Sequence, residues 1–292
     1  MKITISLFLL LSLLFCSCNG MADGEREPTT APTEEPTKGE DEMNTETKKY
    51  KKYFTLSYDD GTMQDLKLIA ILRKYNVTCC TFNVNTGLYG ANWEWVGLAV
   101  NVPGLEHRRF TEGDLRSGIY NGFELTVHTL THPSLKIYDN SPEDIIREVQ
   151  GDSDNIEAIT GIKPIGMAWP GGDTEFTDTT VRQVLKYTDI RYARCTTPTY
   201  SFELPERFMK WYPTCAFSDP RTFELAQQFI DAEPTDGDML FYVWGHGFEM
   251  DIPGQNSYEE FEQLVKMMSE ADDVILVTNR EFYELYKDTI PS

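Results

Sequence analysis

Tyr53-Phe54-Thr55-Leu56-Ser57-Tyr58-Asp59-Asp60-Gly61 is an apolar, aromatic-rich run that stops at two carboxylates and a turn glycine. Residues 53–58 read as a strand, and residues 63–75 beyond the turn read as an amphipathic helix, with Thr62 and Asp65 in a capping-box pattern. The same alternation continues down the chain. Strands are expected at 77–82, 124–128, 165–169, 190–194, 208–214, 239–244 and 274–278. Helices are expected from Ser141-Pro142-Glu143-Asp144 towards Gly161, near 180–187, and over 222–231, 258–271 and 280–287. A strand-poor excursion from Asn83 to about Thr111 holds Trp93 and Trp95. About eight strands in βα order, without a dinucleotide-type glycine fingerprint, point to a parallel barrel rather than an open sheet.

Working outward, residues 1–18 read as a targeting signal. Lys2 precedes an apolar run over 3–15 that is too short for a comfortable membrane span. It ends in Cys16-Ser17-Cys18, which resembles a bacterial lipoprotein signal with Cys18 as the lipidated residue. An ordinary cleaved signal is the competing reading. Residues 19–49 hold nine acids against four bases and almost no large apolar side chains, so they read as a solvated acidic Thr/Pro/Glu tether. The folded domain is expected over 50–292. The protein is then expected to be exported and lipid-anchored to a bacterial membrane, on the outer membrane or cell surface.

Charge narrows the partners. The chain has 292 residues with 47 acidic and 26 basic side chains, a net charge of −21, and residues 50–292 alone keep about −17. Phosphate is repelled, so nucleic acid is not an expected partner, and contact with a membrane is expected through the N-terminal lipid only. No protein partner can be inferred. Cys79, Cys80, Cys195 and Cys215 form no CxxC pair and read as buried thiols rather than a disulfide framework.

Four stretches fall just after expected strands, where barrels carry their active sites. In the first, a turn at Gly61 lets Asp59 and Asp60 face one site, although Asp-Asp-Gly alone is a common turn. The second is His128-Thr129-Leu130-Thr131-His132, half of the chain's four histidines. On a helical turn its spacing would put both imidazoles on one face, ready for a metal. Thr129 follows the first histidine where a metalloprotease needs Glu, which excludes that class. The third, Ala168-Trp169-Pro170-Gly171-Gly172, permits close backbone approach and can aim an amide N–H into a site. The fourth, Trp244-Gly245-His246-Gly247, ends an apolar strand with a histidine suited to proton transfer. The remaining histidine, His107, reads as a surface residue.

In this order the four stretches resemble the polysaccharide deacetylase family, the NodB-type carbohydrate esterases, over residues 53–282. The third motif takes the Ala-x-Pro-x-Gly-like form of divergent members. The resemblance implies a distorted parallel (β/α) barrel and a metal-dependent hydrolase that removes N- or O-linked acetyl groups from a carbohydrate polymer or oligosaccharide. Asp60, His128 and His132 are then the metal ligands. Zinc is the first choice for such a set, and cobalt or nickel also suit it. Asp59 is the expected base, His246 the expected acid, and the Gly171 N–H an expected oxyanion contact. Trp169, Trp244, Trp93 and Trp95 are expected to stack on sugar rings, with packing against the barrel as the competing role.

The chain departs from the family at two points. Ala168 stands where the family often has Arg, and the aspartate that tunes the catalytic histidine finds its nearest candidates in Asp219 and Glu249. Arg194, at the C-terminal end of the next expected strand, is expected to replace the missing guanidinium beside Asp59. The alternative to an enzyme is a carbohydrate-binding protein on the same scaffold that has lost catalysis.

Overall fold

A computed structural model describes residues 50–292. The expected targeting signal and tether, with Cys18, lie outside the described residues. The domain begins with β1 (Lys52–Asp59), α1 (Asp65–Lys74), β2 (Cys80–Val84), α2 (Glu94–Ala99), α3 (Glu112–Arg116) and β3 (Glu124–Val127). It continues through α4 (Pro142–Ile145), a π turn over Ile146–Gln150, α5 (Gly151–Thr160), β4 (Gly166–Ala168), α6 (Asp178–Tyr187) and β5 (Tyr192–Arg194). It ends with β6 (Cys215–Ala216), α7 (Thr222–Asp231), β7 (Met239–His246), α8 (Tyr258–Glu270), β8 (Val274–Leu276) and α9 (Asn279–Tyr286).

All strand pairs are parallel, in the order β5-β4-β3-β2-β1-β7-β6. The central strand β1 shares one of its edges between two neighbours. Lys52–Phe54 pair with β8, and Leu56–Asp59 pair with β2. The sheet curls into the distorted barrel, with only an isolated bridge, Arg194 to Trp211, linking β5 to the segment before β6. That segment was expected as a strand over 208–214. Instead Phe208–Lys210 form a 3₁₀ turn, because Phe208 and Trp211 turn inward to pack on Tyr192, Tyr242 and Phe282.

Every residue of β1 is buried, and its period of two divides them between two interiors. Phe54, Leu56 and Tyr58 belong with Leu68, Leu72 and Phe261 to the core between sheet and helices. Thr55, Ser57 and Asp59 join a polar column inside the barrel. Asn83 donates to Ser57 Oγ and to Asp59 Oδ1, both at 2.8 Å, while Asn279 bonds Thr55 and Tyr242 below them. An interior amide left without partners costs about 1–3 kcal/mol, so this column is tightly specified.

The start of α1 differs from expectation. Gln64 stands at its N-cap with no side-chain cap, and the Thr62 hydroxyl makes no hydrogen bond. Asp65 instead turns inward to accept from the Tyr120 hydroxyl at 2.6 Å. Burial therefore overrides the local capping pattern. The four described cysteines are buried free thiols.

Candidate active site

The four motifs meet at the C-terminal ends of the strands. β1 delivers Asp59, after which Asp60 (φ 75°) and Gly61 (φ 60°) both adopt the left-handed conformation. This turn keeps the two carboxylates at the barrel mouth, where both are buried. The second motif follows β3 as an irregular loop rather than the expected helical turn. Thr129 (φ 65°) and His132 (φ 58°) are left-handed, and the His132 N–H donates to Thr129 Oγ1 at 3.1 Å. The loop is held from below by two buried carboxylates around the π turn. Asp152 accepts from the His128 N–H at 3.2 Å and from the Thr86 N–H and hydroxyl at 2.7 and 2.6 Å, and Glu148 accepts from the Thr131 N–H at 2.9 Å.

One ligand atom each from Asp60, His128 and His132 lies within 4.8 Å of the others. His128 Nδ1 donates to the Ala168 carbonyl at 3.0 Å, which turns the Nε2 lone pair into the site. Burial lowers the pKa of both imidazoles, His132 to about 4, while Asp59 and Asp60 only partly restore His128. Burial works against the Asp60 charge, but the His107 hydrogen bond and the Arg109 charge outweigh it and hold the carboxyl well below its usual range. Two neutral imidazoles and one carboxylate are the protonation states a divalent ion requires. The residues present fit the metal that the fold implies.

Asp59 sits beside this set with different partners. Oδ1 accepts from Asn83, Oδ2 is in direct contact with Arg194 Nη2, and His246 Nε2 lies 4.0 Å from Oδ2. Arg194 is fully buried, with its guanidinium 4.3 Å from the centre of the Trp244 ring. His246 Nδ1 donates to Glu249 Oε1 at 3.1 Å, so of the two candidates Glu249 is the carboxylate at this histidine. Asp219 pairs with Arg221 and Tyr200 instead.

A cavity of about 430 Å³ opens over these groups, walled by Trp93, Trp95, Val100, Trp244 and Phe248, with Gly171 (φ 72°) on the facing side. A depression of about 500 Å³ lined from Thr199 to Tyr212 holds none of the motif residues. Trp95 is 58% exposed at the cavity mouth and Trp93 half-buried. Trp169 corrects the sugar-stacking expectation. It touches the cavity, but its ring is 1% exposed and stacked on Phe176 at 4.3 Å, and its N–H donates to Met209 O, so it takes the competing role of packing against the barrel.

His107 is a second correction, because it is 1% exposed and donates from Nε2 to Asp60 Oδ2 at 2.9 Å. A histidine in a polar stretch carries no periodic signal of burial, and the carboxylate that draws it inward is 47 residues away. Arg109, whose Nη2 donates to Asp60 Oδ1 at 2.7 Å, went unread for the same reason.

Two neutral histidines and an aspartate, beside a clamped carboxylate and a carboxylate-paired histidine on a curled parallel barrel, define a metal-ready hydrolytic site. The polysaccharide deacetylase family model matches residues 46–193, half of the sequence, and the chain belongs to that family of carbohydrate deacetylases. Solved structures agree on the fold. A family 4 acetyl xylan esterase from Clostridium thermocellum, in complex with cobalt, is 15% identical with a TM-score of 0.50, over 82% of this chain and 93% of that one. A protein from Mycobacterium smegmatis assigned as a polysaccharide deacetylase is 15% identical with a TM-score of 0.56, over 84% of this chain and 94% of that one. No curated protein matches the sequence.

Proposed function

We propose that the protein removes N- or O-linked acetyl groups from a carbohydrate polymer or oligosaccharide, releasing acetate and a free amine or alcohol. The observation that carries this reading is the convergence of Asp60, His128 and His132 within 4.8 Å, with Asp59 and His246 alongside. Asp60, His128 and His132 would hold a divalent ion, zinc first, with cobalt or nickel as substitutes. When bound, such an ion supplies Lewis acidity to the acetyl carbonyl and to water. Asp59, kept ionised by Arg194 and oriented by Asn83, takes the proton of the attacking water. His246, protonated and held by Glu249, gives a proton to the leaving nitrogen or oxygen. The Gly171 N–H faces the developing oxyanion. Trp93, Trp95 and Trp244 offer ring surface to the sugar, and each stacked sugar face gains from dispersion as well as burial.

We place this chemistry outside the cytoplasm, on a protein anchored through a lipid at Cys18. The apolar run ending in Cys16-Ser17-Cys18 supports that placement. The decisive assay is acetate release across a panel of N- and O-acetylated glycans, with and without chelator. Metal-dependent release on one linkage class is expected. Glycan binding with no acetate release on any member would make the protein a non-catalytic binder, and full activity after metal removal would end the hydrolytic mechanism proposed.

A further inference from the structure

The excursion between β2 and α3 ends in a brace that joins the two separate carriers of the ligand set. Arg109 is 2% exposed and forks between two acceptors. Nη2 donates to Asp60 Oδ1 at 2.7 Å, and Nε donates to Asn85 Oδ1 at 3.2 Å. Asn85, also buried, directs its amide N–H groups the other way, to the carbonyls of His128 at 2.6 Å and Thr129 at 2.9 Å. Two side chains therefore connect the Asp60 carboxylate to the backbone of the histidine loop. The Arg109 guanidinium lies 3.8 Å from the centre of the Trp93 ring. The same ring is parallel to His107 at 5.7 Å and meets His132 edge-on at 5.5 Å.

The need for such a brace follows from the backbone. Asp60 follows β1 and the histidine loop follows β3, with β2 between them. Strand pairing fixes the strand ends but not the turns beyond them. Those turns contain left-handed residues at Asp60, Thr129 and His132, which pairing alone does not impose. Ligand atoms must nevertheless be held to a few tenths of an ångström for a divalent ion. A planar guanidinium with donors at fixed angles can set the distance between two acceptors, as a single ammonium cannot.

We infer that Arg109, acting with Asn85, is a positioning residue of the metal site that sets the spacing between Asp60 and the loop carrying His128 and His132. The inference rests on the reading that these three residues hold a divalent ion. If Arg109 merely neutralised Asp60, Lys would replace it and Asn85 would be irrelevant to the metal.

The test is cobalt(II) titration of the metal-stripped full chain, followed by calorimetry and by the visible absorption of bound cobalt. The unaltered protein should take up one equivalent and His128→Ala none. Absence of uptake by the unaltered protein would refute the metal reading itself, separately from the brace. Asn85→Ala leaves the charge on Asp60's partner untouched, yet should weaken cobalt binding roughly 10- to 100-fold and shift the absorption bands. Arg109→Lys should lose affinity in the same range. Combining the two should lose little beyond the larger single effect, because both break one connection. Circular dichroism identifies the variants that fold, and either single variant, once folded, decides the matter. Unchanged cobalt affinity and spectrum in a folded Asn85→Ala or Arg109→Lys would overturn the inference, as would fully additive losses in the double variant.

Discussion

Asp59 and Asp60 are neighbours in sequence with different partners, and those partners assign them different work. Asp60 faces two imidazoles, whereas Asp59 is clamped by Asn83 and Arg194 beside His246. Asp59→Asn, nearly isosteric, should keep the metal while turnover falls by roughly 10²- to 10⁴-fold. Asp60→Ala or His128→Ala should lose metal and activity together, as measured by metal analysis alongside acetate release. Loss of metal in Asp59→Asn would reverse the two assignments. The pH profile gives a second check. Burial opposes the Asp59 charge, but Arg194, with His128 and His246, outweighs it and lowers the pKa, so Arg194→Ala should move the acidic limb of the rate profile to higher pH. Burial likewise opposes charge on His246, but Glu249, with Asp60 and Asp59, raises its pKa to about 9. Glu249→Gln should therefore move the basic limb to lower pH. An unmoved limb in either variant would dissociate that partner from the titrating group. Most of this site was legible in sequence because Asp59 and His246 end strands, and Asp60, His128 and His132 come just after strands. Even the substitute guanidinium could be placed from the register of β5. His107 and Arg109 were not legible, since they arrive from a loop with no periodicity, and Trp169 was misread because ring burial cannot be judged beside a turn.

Among the elements, the βα series was readable because periodic burial drives it, and α7 (Thr222–Asp231) coincides with its expected bounds. What local pattern could not show is where a distant group overrides it. The histidine motif has helical spacing but forms a loop, because Glu148 and Asp152 draw its N–H groups down towards the π turn. That arrangement gives a prediction. Asp152→Ala strips a partner from the Thr86 N–H and hydroxyl and from the His128 N–H, all buried. The cost should be about 1–3 kcal/mol in denaturant unfolding, with weaker metal binding as the loop relaxes. A substitution of this size that left stability and metal affinity untouched would mean that the loop is held by its own left-handed residues.

At the scale of the whole molecule, the membrane attachment proposed above rests on the N-terminal segment. Among the described residues no helix is long and apolar enough to cross a bilayer. Residues 50–292 carry a net charge near −17, which anionic headgroups repel. The proposed attachment is through a lipid on Cys18 after cleavage. A single acyl chain binds a membrane only marginally, whereas a multiply acylated cysteine anchors stably. Cys18→Ala in a bacterial host should accordingly move the protein from the membrane fraction to the soluble exported fraction. Acetate release by the purified variant should be unchanged, since Cys18 is no part of the site. Fractionation with labelled fatty acid separates the outcomes. Label and membrane retention both lost supports the anchor, whereas retention without label means that the apolar run stays uncleaved. Retention with label places the lipid on Cys16 instead.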